Sequence, residues 1–102
     1  MSAATDQLQT RRALRIILVL AGHEVRGLRT GEIAVAVKES PSTTTRMLAA
    51  MVEEGVVEEM PDKKDGWRLG PKLVQIGLAH QSGLAKLKRQ IDETEQRFSR
   101  AP

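Results

Sequence analysis

Side chains able to recognise a phosphate or a base edge are concentrated between residues 40 and 46. Ser40-Pro41 is a typical helix start, because Ser can cap free N–H groups and Pro at the first helical position loses no hydrogen bond. Hydroxyls can contact phosphates or base edges, Thr methyls can touch thymine methyls, a guanidinium can bind guanine, and free N–H groups at a helix start favour phosphate. The residues that we expect to contact DNA here are Pro41, Ser42, Thr43, Thr45 and Arg46. The alternative is that they only cap and solvate a helix.

Two further groups of basic side chains could reach the same partner. Arg11 and Arg12 lie in the first predicted helix, and Lys63 and Lys64 lie in a turn that is followed by Arg68. Lys and Arg neutralise phosphates and release counterions from DNA, so we expect these five residues to contact the DNA backbone. For each of them the alternative is a solvated surface position.

The residue types present give little support for catalysis or metal binding. The chain has no cysteine, which excludes disulfides, thiolate zinc sites and thiol catalysis. His23 and His80 are far apart, and neither a metal-ligand spacing nor a nucleophile or phosphate-loop motif occurs. The pairs Glu53-Glu54 and Glu58-Glu59 are typical of solvated surfaces, and we expect them to point away from DNA because they would repel it. We therefore predict a non-enzymatic protein without a cofactor or metal.

Charge is small in total but uneven along the 102 residues, whose net charge is +3. Residues 1–29 and residues 71–102 each carry +3, residues 30–46 are neutral, and residues 47–70 carry −3. This pattern predicts a few placed phosphate contacts instead of a uniformly basic surface. The longest apolar run is far shorter than a membrane span and no signal peptide is present, so we expect a cytoplasmic protein with no membrane partner.

Apolar periodicity predicts three helices in the first half of the chain. The first starts between Thr5 and Thr10, the second spans residues 30–37, and the third spans residues 41–54 with Gly55 as its stop. Their predicted apolar faces are, in order, Leu14, Ile17, Leu18 and Ala21; Ile33, Ala34 and Val37; and Thr44, Met47, Leu48, Met51 and Val52.

The second half predicts a β-hairpin and a further helix. Strand-like residues 56–60 and 67–69 flank a turn-rich segment, and we expect Trp67 to pack the hairpin onto the helices, with base stacking as the alternative. Helical periodicity resumes at residue 72, and Ser82-Gly83 predicts a bend or an interruption. Apolar residues then follow a 3-4-3-4 spacing, which predicts a short dimerisation seam. The seam consists of Leu84, Leu87, Ile91, Thr94 and Phe98, and we assign dimerisation to its four large members, Leu84, Leu87, Ile91 and Phe98. The alternative is that the stripe folds back as ordinary core.

This order of elements is that of a winged helix-turn-helix. The fold class is therefore predicted to be mainly α (α+β), with a β-hairpin wing and a long C-terminal helix. We divide the chain into a flexible N-terminal arm (residues 1–9), a DNA-binding domain (residues 10–71) and a C-terminal helix for dimerisation (residues 72–102).

Several short pieces of sequence, taken in order, carry a family resemblance. They are Arg12-Ala13-Leu14-Arg15-Ile16, Gly27-Leu28 with Glu32-Ile33-Ala34, Ser42-Thr43 with Arg46-Met47-Leu48, Glu54-Gly55-Val56-Val57-Glu58, and Trp67-Arg68-Leu69-Gly70-Pro71-Lys72-Leu73. Over residues 10–78 the chain resembles the DNA-binding domain of the IclR family of bacterial transcriptional regulators. The resemblance implies a winged helix-turn-helix that dimerises and binds operator DNA. Family members normally add a C-terminal effector-binding domain, which is not found within these 102 residues.

The chain departs from the family pattern in the turn before the third helix and in the third helix itself. Lys38-Glu39-Ser40 stands where the family has Gly-Leu-Pro-like residues, and Thr43, Thr44 and Thr45 follow one another in the third helix. The resemblance therefore does not imply a particular operator sequence.

The function predicted from these observations is that of a dimeric, sequence-specific DNA-binding transcriptional regulator. We expect the third helix to enter the major groove, the wing to lie on the backbone, and the homodimer to read a palindromic or pseudo-palindromic operator in double-stranded DNA. Two alternatives remain open at this point. One is a protein–protein interaction adapter built on a winged helix, and the other is the DNA-binding part of an effector-responsive repressor.

Overall fold

The computed structural model describes residues 3–99, and side chains from residue 7 onward. Four helices and three strands follow one another: α1 Ala3–Leu20, β1 Leu28–Arg29, α2 Thr30–Val37, α3 Pro41–Glu53, β2 Val57–Glu59, β3 Gly66–Leu69 and α4 Pro71–Ser99. Helix α1 begins before the earliest predicted start. The backbone of residues 3–9, which we expected to form a flexible arm, is therefore helical.

The predicted apolar face of α1 is wrong by one residue. Ile16 and Leu20 are fully buried, whereas Leu14 and Leu18 are 55% and 73% exposed. Residues 16–21 are all apolar, so the same helical spacing fits two neighbouring faces of the helix. Only the position of the other helices decides which face is covered.

Helices α2 and α3 complete the core much as predicted. Ile33, Ala34 and Val37 of α2 are buried, and so are Thr44, Leu48 and Met51 of α3, with Met47 half-buried. Val52 is 37% exposed and lies outside the buried stripe of α3. The Ser40 hydroxyl accepts a hydrogen bond from the Thr43 N–H at 3.2 Å, and Gly55 has φ +79°, so the predicted start and stop of α3 are both confirmed.

The predicted hairpin forms, and it gains a third strand that the sequence did not indicate. Strand β3 lies between β1 and β2 and is antiparallel to both. Gly27, just before β1, has φ +65°, and a Cβ there would lie 2.6 Å from the Trp67 carbonyl oxygen, so only glycine fits. We call β2, β3 and the turn between them the wing.

Trp67 packs the wing onto the helices, as expected. Its ring is 7% exposed, and its Nε1–H donates a hydrogen bond to the Thr30 hydroxyl at 2.8 Å. The Thr30 hydroxyl in turn donates to Asp65 Oδ1 at 2.5 Å. This chain of hydrogen bonds joins the wing turn to the start of α2, and it satisfies the buried indole N–H.

Helix α4 extends away from the rest of the protein. It runs through Ser82-Gly83 without interruption, which corrects the second of the two predicted outcomes there, and its 29 residues are about 43 Å long. Leu73 is half-buried, and every described residue after it is exposed. The radius of gyration is 19.6 Å, against about 13 Å for a compact domain of this size.

The exposure of α4 excludes one of the two predicted roles of its apolar stripe. Leu84, Leu87, Ile91 and Phe98 are between 51% and 74% exposed, so the stripe does not fold back as core. None of the helices within residues 3–99 is long and apolar enough to cross a membrane.

Candidate nucleic-acid interface

The start of α3 offers fewer free amides than the sequence suggested. Pro41 has no N–H, and the Thr43 N–H is taken by the Ser40 hydroxyl. The Thr44 N–H donates to the Ser40 carbonyl at 3.0 Å, as expected inside a helix. Within the described chain, Ser42 therefore supplies the amide of this turn that remains available to a phosphate.

Arg46 has no acidic partner among the described residues. Its side chain is exposed, and one guanidinium N–H group donates to the Thr43 hydroxyl at 3.3 Å. Ser42, Arg46 and Ala49 are four and three residues apart and are all exposed, so they form one outward stripe along α3. Apart from Glu53 at its last position, α3 contains no acidic residue. The outward stripe thus presents an uncompensated cation flanked by a hydroxyl and a methyl group.

The three consecutive threonines of α3 have different surroundings. Thr44 is fully buried, and its hydroxyl donates to the Ser40 carbonyl at 2.9 Å. Thr45 is exposed, and its hydroxyl donates to the Pro41 carbonyl at 2.9 Å, which leaves its methyl and one acceptor function outside the helix. Thr43 is half-buried between Ser40 and Arg46. Thr45 is therefore the threonine with the most surface to offer a base.

The two predicted cations of α1 also differ in their contacts. Arg12 forms an ion pair of 2.5 Å with Glu39, in the turn between α2 and α3, and both side chains are about four-fifths buried. Arg11 is exposed and makes no ion pair with a described residue. Arg12 therefore fixes α1 to the helix-turn-helix, whereas Arg11 keeps its charge for a partner.

The three predicted cations of the wing also divide by their contacts. Lys63 turns back from the tip, and its Nζ donates to the Arg26 carbonyl at 2.7 Å. Arg68 faces Glu58 across the two strands, with 2.6 Å between Nε and Oε1. Lys64 is exposed and forms no ion pair with the described residues. Of the three, Lys64 is the cation that remains available for a phosphate.

A groove separates α3 from the wing, and it carries acidic side chains. Thr45, Ala49 and Val52 line it from α3, and Lys64 and Trp67 are among the residues that line it from the wing. Glu59 and Asp65 also line it. The expectation that all four glutamates point away from the predicted DNA-contacting residues is therefore wrong for Glu59.

The structure also brings two further arginines next to the wing. Strand β1 pairs Arg29 with Gly66 at the start of β3, and the Arg26 carbonyl holds Lys63. Both arginine side chains are exposed and unpaired by acids within the described chain. Neither arginine is predicted from the sequence, because no local signal indicates that residues 28–29 join the sheet. No group of three His, Asp or Glu within residues 3–99 is arranged to hold a metal ion.

A family model for the IclR helix-turn-helix domain matches residues 9–61, slightly more than half of the chain. This span contains β1, α2, α3, β2 and most of α1, and it ends within the turn of the wing. No curated protein matched the chain in a sequence comparison.

Solved structures similar to this one have the same winged-helix fold. A structure describing the binding of Cyprinid Herpesvirus3 ORF112-Zalpha to Z-DNA is 27% identical, with a TM-score of 0.52 over 59% of this chain and 93% of that one. HmgR from Pseudomonas aeruginosa is 19% identical, with a TM-score of 0.62 over 84% of this chain and 34% of that one. A MarR family transcriptional regulator from Silicibacter pomeroyi is 21% identical, with a TM-score of 0.52 over 89% and 56%. The chain thus spans about a third of HmgR and just over half of the MarR family protein.

Proposed function

The chain belongs to the IclR helix-turn-helix family of DNA-binding domains of transcription regulators, and we propose that it acts as a dimeric, sequence-specific regulator of transcription. In this proposal α3 enters the major groove, the wing follows the DNA backbone, and two copies read a palindromic or pseudo-palindromic operator. The site of action is then the cytoplasm.

The outward stripe of α3 is the observation that carries the proposal. Arg46 has no carboxylate to neutralise it within the described part of the chain, and Ser42 and Ala49 on either side of it are small enough to let a base edge approach. Arg bound in a bidentate manner to guanine is the commonest specific base contact, and Ala and Thr methyls fit thymine methyls. We therefore assign base reading to Arg46, Thr45 and Ala49.

Backbone contacts are assigned to cations whose charges are uncompensated in the structure. Arg11 on α1 and Lys64 on the wing lie outside α3 and have no ion pair among the described residues. Phosphate contacts fix the register and orientation of a protein on the duplex but carry no sequence information. Ser42 adds an amide at the start of α3, where the helix dipole favours an anion.

A protein-interaction adapter is the second candidate, and the groove between α3 and the wing favours it. Glu59 and Asp65 line this groove beside the apolar surface of Ala49 and Val52. Acidic side chains next to an apolar floor suit a basic peptide better than a polyanion. The adapter role then predicts binding to a basic peptide and no binding to DNA.

Selection of bound duplexes from a random pool tests the main proposal directly. We expect an enriched motif with two-fold symmetry, because two copies of one reading helix read the same bases on opposite strands. Titration of that motif and of a scrambled duplex at two salt concentrations should give specific binding that weakens as salt rises.

A Z-form duplex belongs in the same titration, because the ORF112-Zalpha domain binds Z-DNA. Enrichment of no motif, together with no salt-dependent duplex binding, would overturn the DNA-binding proposal. Preference for the Z-form duplex over every B-form sequence would overturn major-groove reading.

A further inference from the structure

The exposed apolar stripe of α4 has no partner in the described chain. Leu84, Leu87 and Ile91 are 51–53% exposed, and Phe98 is 74% exposed. The helix contributes no buried residue at all, although its stripe has the 3-4 spacing of a coiled-coil seam. A continuous apolar stripe of this kind on a helix surrounded by water marks an interaction surface.

The charges along α4 change sign near the middle of this stripe. Lys86, Lys88 and Arg89 precede Ile91, whereas three acidic residues follow it and come before Arg97. These are Asp92, Glu93 and Glu95. Two such helices placed antiparallel would set each basic block against the acidic block of the other copy, whereas two parallel helices would not.

This charge order is poorly suited to stabilising a single helix. No charged side chain of α4 forms an ion pair within the described residues. Of the three pairs of opposite charge that are four residues apart, Lys88–Asp92 and Arg89–Glu93 have the base first, which is the less favourable orientation, and Glu93–Arg97 has the acid first. A partner outside the helix would therefore stabilise these charges more than the helix itself does.

Heptad positions identify which opposite charges of the two copies would meet in an antiparallel pair. If Leu84 and Ile91 occupy a positions and Leu87 a d position, then Lys88 and Glu95 occupy successive e positions. Antiparallel helices bring e positions of the two copies together along one side of the seam. Lys88 of each copy then meets Glu95 of the other, so the pair forms twice in a two-fold dimer.

A parallel pair of α4 helices would form no such pair of opposite charges beside the seam. In parallel coiled coils a g position faces the e position of the next heptad. Gly83 would then face Lys88, and Gln90 would face Glu95. Neither pair joins opposite charges, so only the antiparallel arrangement uses the charges of this seam.

We propose that α4 pairs with α4 of a second copy in antiparallel orientation, with Lys88 of each copy against Glu95 of the other. In this register Leu87 packs against Phe98 of the second copy, and Ile91 packs against Thr94 of the second copy. The two DNA-binding heads then lie at opposite ends of the paired helices. The inference rests on the dimer of the proposed function and specifies its partner surface and direction.

Charge reversal at the two e positions provides the test. We measure the dimer dissociation constant by sedimentation for the wild type, for Lys88→Glu, for Glu95→Lys, and for an equimolar mixture of the two variants. Each variant alone places two like-charge pairs at the seam, so its dissociation constant should rise about tenfold. The mixture restores opposite charges in a heterodimer, so its dissociation constant should return to within about threefold of the wild type.

The separation of the two residues makes this rescue diagnostic. Lys88 and Glu95 are two turns apart, about 10 Å along the helix, and cannot pair within one chain. Arg89→Glu is the matched control, because it makes the same charge change at the f position, away from the seam. It should leave dimerisation unchanged. A wild type that stays monomeric, or a mixture no tighter than the single variants, overturns the proposal.

A second readout reports the direction of the helices independently of charge. Because the chain has no cysteine, Leu84→Cys introduces a single thiol. In the antiparallel pair the two thiols lie far apart, so oxidation should give no cross-linked dimer, whereas a mixture of Lys88→Cys and Glu95→Cys should give one. Efficient self-cross-linking of Leu84→Cys would instead establish a parallel pair and overturn the proposal.

DNA binding is scored separately, on a duplex that carries one half-site. Lys88→Glu should bind this half-site as the wild type does, because α4 is remote from α3. Charge-dependent pairing without any duplex binding would leave the antiparallel dimer standing and refute the proposed function. A protein that binds the duplex but stays monomeric would leave DNA binding standing and refute the antiparallel dimer.

Discussion

Arg46 differs from Arg12 and Arg68 because no carboxylate faces it among the described residues. Arg12 is bound to Glu39 and Arg68 to Glu58, so each would have to break an ion pair before it could contact a phosphate. Arg46 only donates to a neighbouring hydroxyl, which a base edge or phosphate can replace at little cost. At the scale of single residues, the partners of a cation decide what it is free to bind.

We expect Arg46→Ala to lose about 1–3 kcal/mol of binding free energy for the selected operator, because one bidentate base contact is lost. Discrimination against a scrambled duplex should fall with it. Fluorescence anisotropy measures both. Arg89→Ala removes the same charge from α4 and should leave discrimination intact; an equal loss in both variants would mean that Arg46 acts only through net charge.

The two lysines of the wing should respond differently to substitution. Lys64→Ala should lower the slope of log affinity against log salt by about 0.9 for each bound copy, because each copy loses one exposed phosphate contact. Lys63→Ala should change that slope less, since Lys63 Nζ is held by the Arg26 carbonyl. The measurement is the salt dependence of affinity for one duplex. A larger change of slope for Lys63→Ala would show that Lys63 leaves this carbonyl when DNA binds.

At the scale of elements, the wing is positioned by one buried hydroxyl. Thr30 starts α2, accepts the hydrogen bond of Trp67 Nε1–H from β3, and donates to Asp65 in the wing turn. The same side chain therefore joins the wing to the start of the helix-turn-helix. Removal of the Thr30 hydroxyl should lower the free energy of unfolding, because the Trp67 indole N–H would stay buried without an acceptor.

Thr30→Val should lower the free energy of unfolding by about 1–3 kcal/mol, because it keeps the shape of the side chain and removes both hydrogen bonds. Urea denaturation followed by Trp67 fluorescence measures the change. Thr30→Ser keeps the hydroxyl and should lose clearly less. Equal losses for the two variants would assign the effect to the methyl group and its packing.

The whole molecule consists of a compact head and an exposed helical arm. The family match covers most of the head, and the arm lies outside it. If the arm pairs two heads, its apolar stripe contributes to operator binding without touching DNA, because linking two half-site contacts raises the effective concentration of the second one.

Ile91→Asp should convert the dimer to a monomer, because it places a charge in the middle of the apolar seam. Affinity for the two-half-site operator should fall about 10²-fold or more, whereas affinity for a single half-site should not change. Sedimentation and anisotropy give the two readouts. Gln96→Asp introduces the same charge at the outer f position and should behave as the wild type. A dimeric Ile91→Asp would show that another surface holds the copies together.

Most of the fold could be predicted from local signals. Ser40-Pro41 and Gly55 bound α3 because capping and a left-handed backbone depend on neighbouring residues alone, and the turn-rich segment before Trp67 predicts the hairpin for the same reason. The candidate site was only partly predictable. Its residue types were visible, but whether each cation stands free or paired depends on residues distant in sequence.

The sequence by itself determined the order of elements, the start and stop of α3, and the concentration of hydrogen-bonding side chains in its first turn, because all of these follow from short-range chemistry. Only the tertiary structure decided which face of α1 is buried, that residues 28–29 join the sheet, and that α4 stands away from the head. It also paired Arg12 with Glu39 and left Arg46 without an ion pair among the residues described. The physical reason is the same in each case. Burial, strand pairing and ion pairing join residues that are remote along the chain, and local periodicity holds no information about which of several chemically equivalent partners will be near.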